Sequence, residues 1–135
     1  MAEKNAAFVT GGTGSLGRAV VRRFLDDGHA VAVTYRSAKE WDELRLVCAR
    51  DAEEGRLIGI ATDVTDHDAM GAAVAHAAAA FGGIRVLAHV AGGYAGGTPV
   101  EKAEANTVGR FLHRCHKNWW NCCNWMKSRF AWPST

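Results

Sequence analysis

A cluster of glycines set between an apolar segment and an amphipathic one constrains this chain more than any other feature. Ala6-Ala7-Phe8-Val9 is apolar throughout and leads into Thr10-Gly11-Gly12-Thr13-Gly14-Ser15-Leu16-Gly17. A short apolar run ending in a turn is what a strand buried on both faces requires. Beyond the turn, Leu16, Val20 and Phe24, with Val21 and Leu25 beside them, recur at helical spacing. Asp26-Asp27-Gly28 stops that helix, Gly28 being suited to the left-handed position that ends one. The unit is therefore strand, glycine turn, helix.

Gly11, Gly14 and Gly17 give the spacing Gly-x-x-Gly-x-x-Gly, a relative of the fingerprint that holds a dinucleotide pyrophosphate. Glycine permits the tight turn, and without a Cβ the backbone can approach a phosphate closely. The helix that follows offers unpaired N–H groups and a partial positive charge. A mononucleotide P-loop does not fit, because Arg18 and Ala19 follow Gly17 where Lys and Ser/Thr are needed.

The same unit repeats along the first hundred residues. Ala30-Val31-Ala32-Val33-Thr34 reads as a second strand, and Trp41, Leu44 and Cys48 make a helical stripe. Leu57-Ile58-Gly59-Ile60-Ala61 is a third strand, closed by Thr62-Asp63-Val64-Thr65-Asp66. Thr65 or Asp66 can cap the next helix, whose apolar face carries Met70, Val74, Ala77 and Phe81 before Gly82-Gly83. Ile84 to Val90 gives a fourth strand running into Ala91-Gly92-Gly93. Strands alternating with helices predict an α/β fold, a Rossmann-type doubly wound parallel sheet ending after about four strands.

The end of the second strand bears on which dinucleotide fits. An NAD site usually places an acid about 20 residues beyond the turn, on the ribose 2′-hydroxyl. Here the strand leads into Tyr35-Arg36-Ser37. A guanidinium can pair with a 2′-phosphate and Ser37 can add a hydroxyl, which predicts NADP in preference to NAD.

These residues together resemble the short-chain dehydrogenase/reductase family over about 5–105. The glycine segment is similar to that family's Thr-Gly turn, with Ser15 where its commonest form has Gly. The resemblance implies that Gly11, Thr13, Ser15 and Leu16, with Gly17 completing the turn, line the pyrophosphate. It implies that Asp63 and Val64 lie against the adenine ring. His89-Val90-Ala91-Gly92 resembles the family's Asn-Asn-Ala-Gly motif, so Ala91 and Gly92 would pack near the nicotinamide ribose, while His89 reads as a hydrogen-bonded structural residue.

The family's chemistry uses a Tyr and a Lys four residues apart, on a helix after the fifth strand, to move a proton. In this sequence the spacing occurs at Tyr35–Lys39, after the second strand and at the adenosine end of the cofactor, so it carries no catalysis. The family's Asn on the helix after the fourth strand would fall near Arg114-Cys115, and neither side chain can replace it. No catalytic residue carries over, and the chain reads as a catalytically incomplete alcohol/carbonyl oxidoreductase.

Composition breaks near Ala105. From there to Thr135 there is no acid, and Arg110, Arg114, Lys117, Lys127 and Arg129 stand against a net charge of +2 for the whole chain, leaving the preceding residues at −3. Trp119, Trp120, Trp125 and Trp132, and Cys115, Cys122 and Cys123, also fall in this basic tail, 106–135. His113, Cys115, His116, Cys122 and Cys123 lack the Cys-x-x-Cys or His-x₃-His pairs of a metal site, and no metal is expected. All four cysteines read as free thiols. No apolar stretch approaches the roughly 20 residues that span a bilayer, and no signal peptide precedes Phe8, so the expected compartment is the cytoplasm without membrane attachment.

Three readings share the first hundred residues. One is the dinucleotide-binding half of a reductase, with a small-molecule substrate only in a full-length relative. Another is a non-enzymatic nucleotide-binding module whose tail engages a protein or nucleic acid, although the small net charge does not itself imply the latter. The last is a non-functional truncated product with a frameshifted or remodelled tail. In each, the apolar fourth strand at a sheet edge predicts self-association.

Overall fold

The computed structural model describes residues 5–92 and Lys102. The chain divides into two compact units, Met1–Ala91 and Gly92–Thr135, and the architecture below is that of the first. The compositional break near Ala105 and the tail lie outside the described residues.

Four strands, β1 (Ala6–Thr10), β2 (Ala30–Tyr35), β3 (Leu57–Ala61) and β4 (Val86–His89), alternate with helices α1 (Ser15–Asp26), α2 (Ala38–Val47), α3 (Ala49–Glu53) and α4 (His67–Phe81). All pairings are parallel and the strand order is β3-β2-β1-β4. This is the Rossmann-like arrangement the alternation predicts. Every residue of β1 is buried, as befits a strand flanked on both edges and covered on both faces.

Strand side chains alternate between faces, and the helices use that alternation. Val9, Val31 and Val33 point to one side, where they form a core with Val21 and Leu25 of α1, Leu44 of α2, and Cys48 and Leu57. Burying each such aliphatic side chain is worth about 1.5–3 kcal/mol, so this layer, not helix propensity, holds α1 in place. The four-residue steps from Gly17 to Val21 to Leu25 put one stripe of α1 on the sheet. The helix ends where Gly28 takes φ +84° and the Gly28 and His29 N–H groups bond back to the Leu25 and Phe24 carbonyls. Helix α4 contacts β1 and β2 and buries Met70, Val74, Ala77 and Phe81, the predicted stripe.

Two elements differ from the sequence expectation. The stripe Trp41, Leu44, Cys48 predicts one helix, but the backbone breaks at Cys48 (φ −108°, ψ 37°) into α2 and α3. Cys48 drops into the core at the break, so spacing alone could not register the bend. The fourth strand is shorter than 84–90, because Ile84 is buried before the parallel pairing with β1 begins at Val86. Among the described residues β4 ends the sheet, with half-buried side chains.

Trp41 lies flat over β3. Its indole sits 2.5 Å from where a Cβ on Gly59 would stand, and it also stacks on Tyr35 at 5.4 Å and 6°. Among the described residues no helix is long and apolar enough to cross a membrane.

Candidate dinucleotide site

The strand order reverses direction between β1 and β4, and in open α/β sheets ligands bind in the crevice beyond the strand ends at such a switch. The glycine turn leaves β1 at that point, and Ala91-Gly92 follow β4 there.

The turn is held from both sides. Gly11 adopts φ +67°, and a Cβ on it would come within 2.7 Å of the Ala91 Cα. Only glycine lets the turn sit against the β4 exit in this way. Gly17, sequence-predicted to complete the pyrophosphate turn, is buried against the Gly11 carbonyl and the Gly12 backbone, so it brings α1 close to the turn. Ser15 and Leu16 are exposed, Leu16 at 68 %.

Helix α1 begins at Gly14 with no side-chain cap and no acid in its first turn. Among the described residues no side chain takes the N–H groups of Ser15, Leu16 and Gly17. A helix start bare of caps and carboxylates suits an anion, through its free donors and its positive dipole end.

Thr10, which sequence reasoning did not single out, ties the two exits together. Its Oγ1 accepts the Ala91 N–H at 3.3 Å and bonds the Nδ1 of His89 at 2.8 Å. The other ring nitrogen of His89, Nε2, is buried and has no partner among the described residues. Burial pushes the His89 imidazole below its ordinary pKa. His89 is thus a structural tie, as its position in the motif predicts.

At the β2 end, Arg36 is exposed and carries no ion pair among the described residues. Ser37 caps α2, its Oγ accepting the Glu40 N–H at 3.4 Å. The buried Thr13 hydroxyl donates to the Glu40 carboxylate at 3.1 Å. Arg18 Nε donates to the Thr13 carbonyl at 2.8 Å, and its guanidinium pairs with Glu43 at 2.9 Å. Sequence reasoning missed Glu40 and Arg18. The pattern Ser37-x-x-Glu40 was a legible capping signature, but its partner Thr13 lies 27 residues away in sequence.

Beyond β3, Asp63 is exposed and its Oδ1 accepts from the Thr65 N–H at 2.9 Å and the Thr65 hydroxyl at 2.7 Å, while Val64 is half-buried. The structure therefore sets Gly11, Thr13, Gly17 and Ala91 in one connected patch, and joins Ser37 to it through Glu40. Arg36, Asp63 and Val64 stand at the ends of the neighbouring strands β2 and β3. Gly92 is exposed and opens the second compact unit.

Comparison with known proteins bears on what such a crevice holds. A family model described as short chain dehydrogenase matches residues 5–128, past the compositional break. The chain is 39 % identical over 90 residues to a cis-1,2-dihydrobenzene-1,2-diol dehydrogenase of Pseudomonas putida, covering 67 % of this chain and 31 % of that one. It is 38 % identical over 87 residues to a 2-dehydro-3-deoxy-L-rhamnonate dehydrogenase (NAD(+)) of a Sphingomonas species, covering 64 % and 32 %. The crystal structure of a short chain dehydrogenase from Bacillus anthracis superposes with a TM-score of 0.82 at 20 % identity, over 96 % of this chain and 51 % of that one. The chain spans about a third of the length of these curated relatives.

Proposed function

Since the chain belongs to the short-chain dehydrogenase/reductase family of oxidoreductases, we propose that residues 5–92 form the half of its fold that holds the nicotinamide dinucleotide, with NADP preferred to NAD. The observation that carries this reading is the uncapped, acid-free start of α1 at the β1/β4 switch, packed through Gly11 on Ala91. Gly11, Thr13, Ser15 and Leu16 line the pyrophosphate, Gly17 lets α1 approach it, Asp63 and Val64 flank the adenine, and Ala91 and Gly92 meet the nicotinamide ribose. Bound there, the nicotinamide supplies hydride chemistry, and these residues bind and orient it.

Arg36 selects NADP. It is an exposed guanidinium without an ion partner among the described residues, standing where an NAD site would place a carboxylate. The Sphingomonas relative is named for NAD(+), so the two nucleotides must be set against each other directly.

Proton transfer is assigned to none of these residues. The Tyr35–Lys39 pair has the family's spacing, but the Tyr35 ring is stacked on Trp41 beside β3.

Thermal unfolding of the chain with NADPH and with NADH tests the reading. A ligand that binds only the folded state adds about 2.7 kcal/mol at 100 times its Kd, so binding is visible as a raised Tm. The larger rise is expected with NADPH, and Arg36→Asp should reverse the order. No rise with either nucleotide would end the proposal.

A further inference from the structure

Glu40 has two hydrogen-bonding roles open to it, and takes the less common one. In a capping box the N-cap Ser accepts from the third residue's N–H, and that residue's carboxylate returns to the Ser N–H. Ser37 and Glu40 make the first bond, at 3.4 Å. The second is not made among the described residues. The carboxylate instead reaches the glycine turn and accepts the Thr13 hydroxyl at 3.1 Å. The Glu40 carbonyl accepts Arg18 at 3.5 Å. One residue therefore joins the turn after β1 to the cap after β2.

Its charge is left uncompensated. Arg18, which reaches the Glu40 carbonyl, spends its guanidinium on the Glu43 carboxylate and on the Thr13 and Glu40 carbonyls. Among the described residues neither Glu40 nor Arg36 has an ion pair, and they stand on either side of Ser37 in sequence.

We infer that Glu40 is a second selector of the dinucleotide, opposed in sign to Arg36: its carboxylate, bonded to the Thr13 hydroxyl on a residue whose N–H is capped by Ser37, disfavours the 2′-phosphate that Arg36 attracts. The inference rests on the dinucleotide reading above. A phosphate held at Ser37 would lie within a Debye length of this carboxylate, about 8–10 Å at ordinary salt, so the repulsion is felt. The ribose hydroxyl of NAD carries no charge there, and the pyrophosphate common to both nucleotides feels the carboxylate alike, so the effect is read in their ratio.

The test is the ratio of NADPH to NADH affinity in the full chain, read by the fluorescence of the reduced nicotinamide, for wild type, Glu40→Gln and Glu40→Asp. Gln keeps an oxygen for Thr13 and removes the charge. The ratio of NADPH to NADH affinity should rise about three- to tenfold in Glu40→Gln, as expected for a charge pair separated by several ångströms near a protein surface. The gain should shrink in 0.5 M salt, where screening shortens to a few ångströms (about 3 Å at 1 M). Glu40→Asp keeps the charge and shortens the reach to Thr13, so its ratio should stay at the wild-type value even if both affinities weaken. An unmoved ratio in Glu40→Gln, or equal weakening of both nucleotides, would reduce Glu40 to a structural tie. If wild type binds neither nucleotide, the dinucleotide reading fails and this inference goes with it.

Discussion

At the scale of single residues, the crevice is built by one glycine and one histidine whose neighbours leave them little choice. Gly11 combines a left-handed backbone with an Ala91 contact that a methyl group would occupy. Gly11→Ala should lose about 2 kcal/mol or more in urea unfolding, from backbone strain and the displaced β4 exit together. His89 sits buried and neutral against Thr10. Above the ordinary histidine value, about 6.5, folded and unfolded chains are both neutral there. As pH falls through that value the unfolded chain takes up a proton that folded His89 refuses, so stability drops with acid and levels off below the folded pKa. His89→Asn should show a shallower loss of urea midpoint between pH 7.5 and 5 than wild type.

At the scale of elements, α4 shows how local chemistry sets a boundary. Thr65 and Asp66 were equal candidates for its cap in sequence, and the structure chooses Asp66, whose Oδ1 accepts from the Asp68 and Ala69 N–H groups at 3.0 Å. Asp66→Ala should cost about 1 kcal/mol in thermal or urea unfolding, whereas Thr65→Ala should cost distinctly less. Caps, glycine stops and apolar stripes are local, which is why β1 through β4, α1 and α4 were legible from pattern while the break between α2 and α3 was not. Ties between elements were not. The bond from Thr13 to Glu40 and the bridge from Thr10 to His89 join residues 27 and 79 apart, with no periodicity to announce them. Gly59 is the same case: in sequence it weakens a strand, and in the fold it is the floor on which Trp41 lies.

At the scale of the molecule, the site belongs to no single element. It gathers the ends of β1, β2, β3 and β4, and the strand order β3-β2-β1-β4 is what brings the first and last of these side by side. The Thr10 hydroxyl and the Ala91 N–H that close the crevice are 81 positions apart. Contacts so distant along the chain carry a loop-closure cost that must be met before they return any stabilisation, and folds dominated by them form slowly. The cradle is therefore among the last features to close as the chain folds, so a dinucleotide will meet it only after the sheet is complete, and binding reports on folding as much as on chemistry.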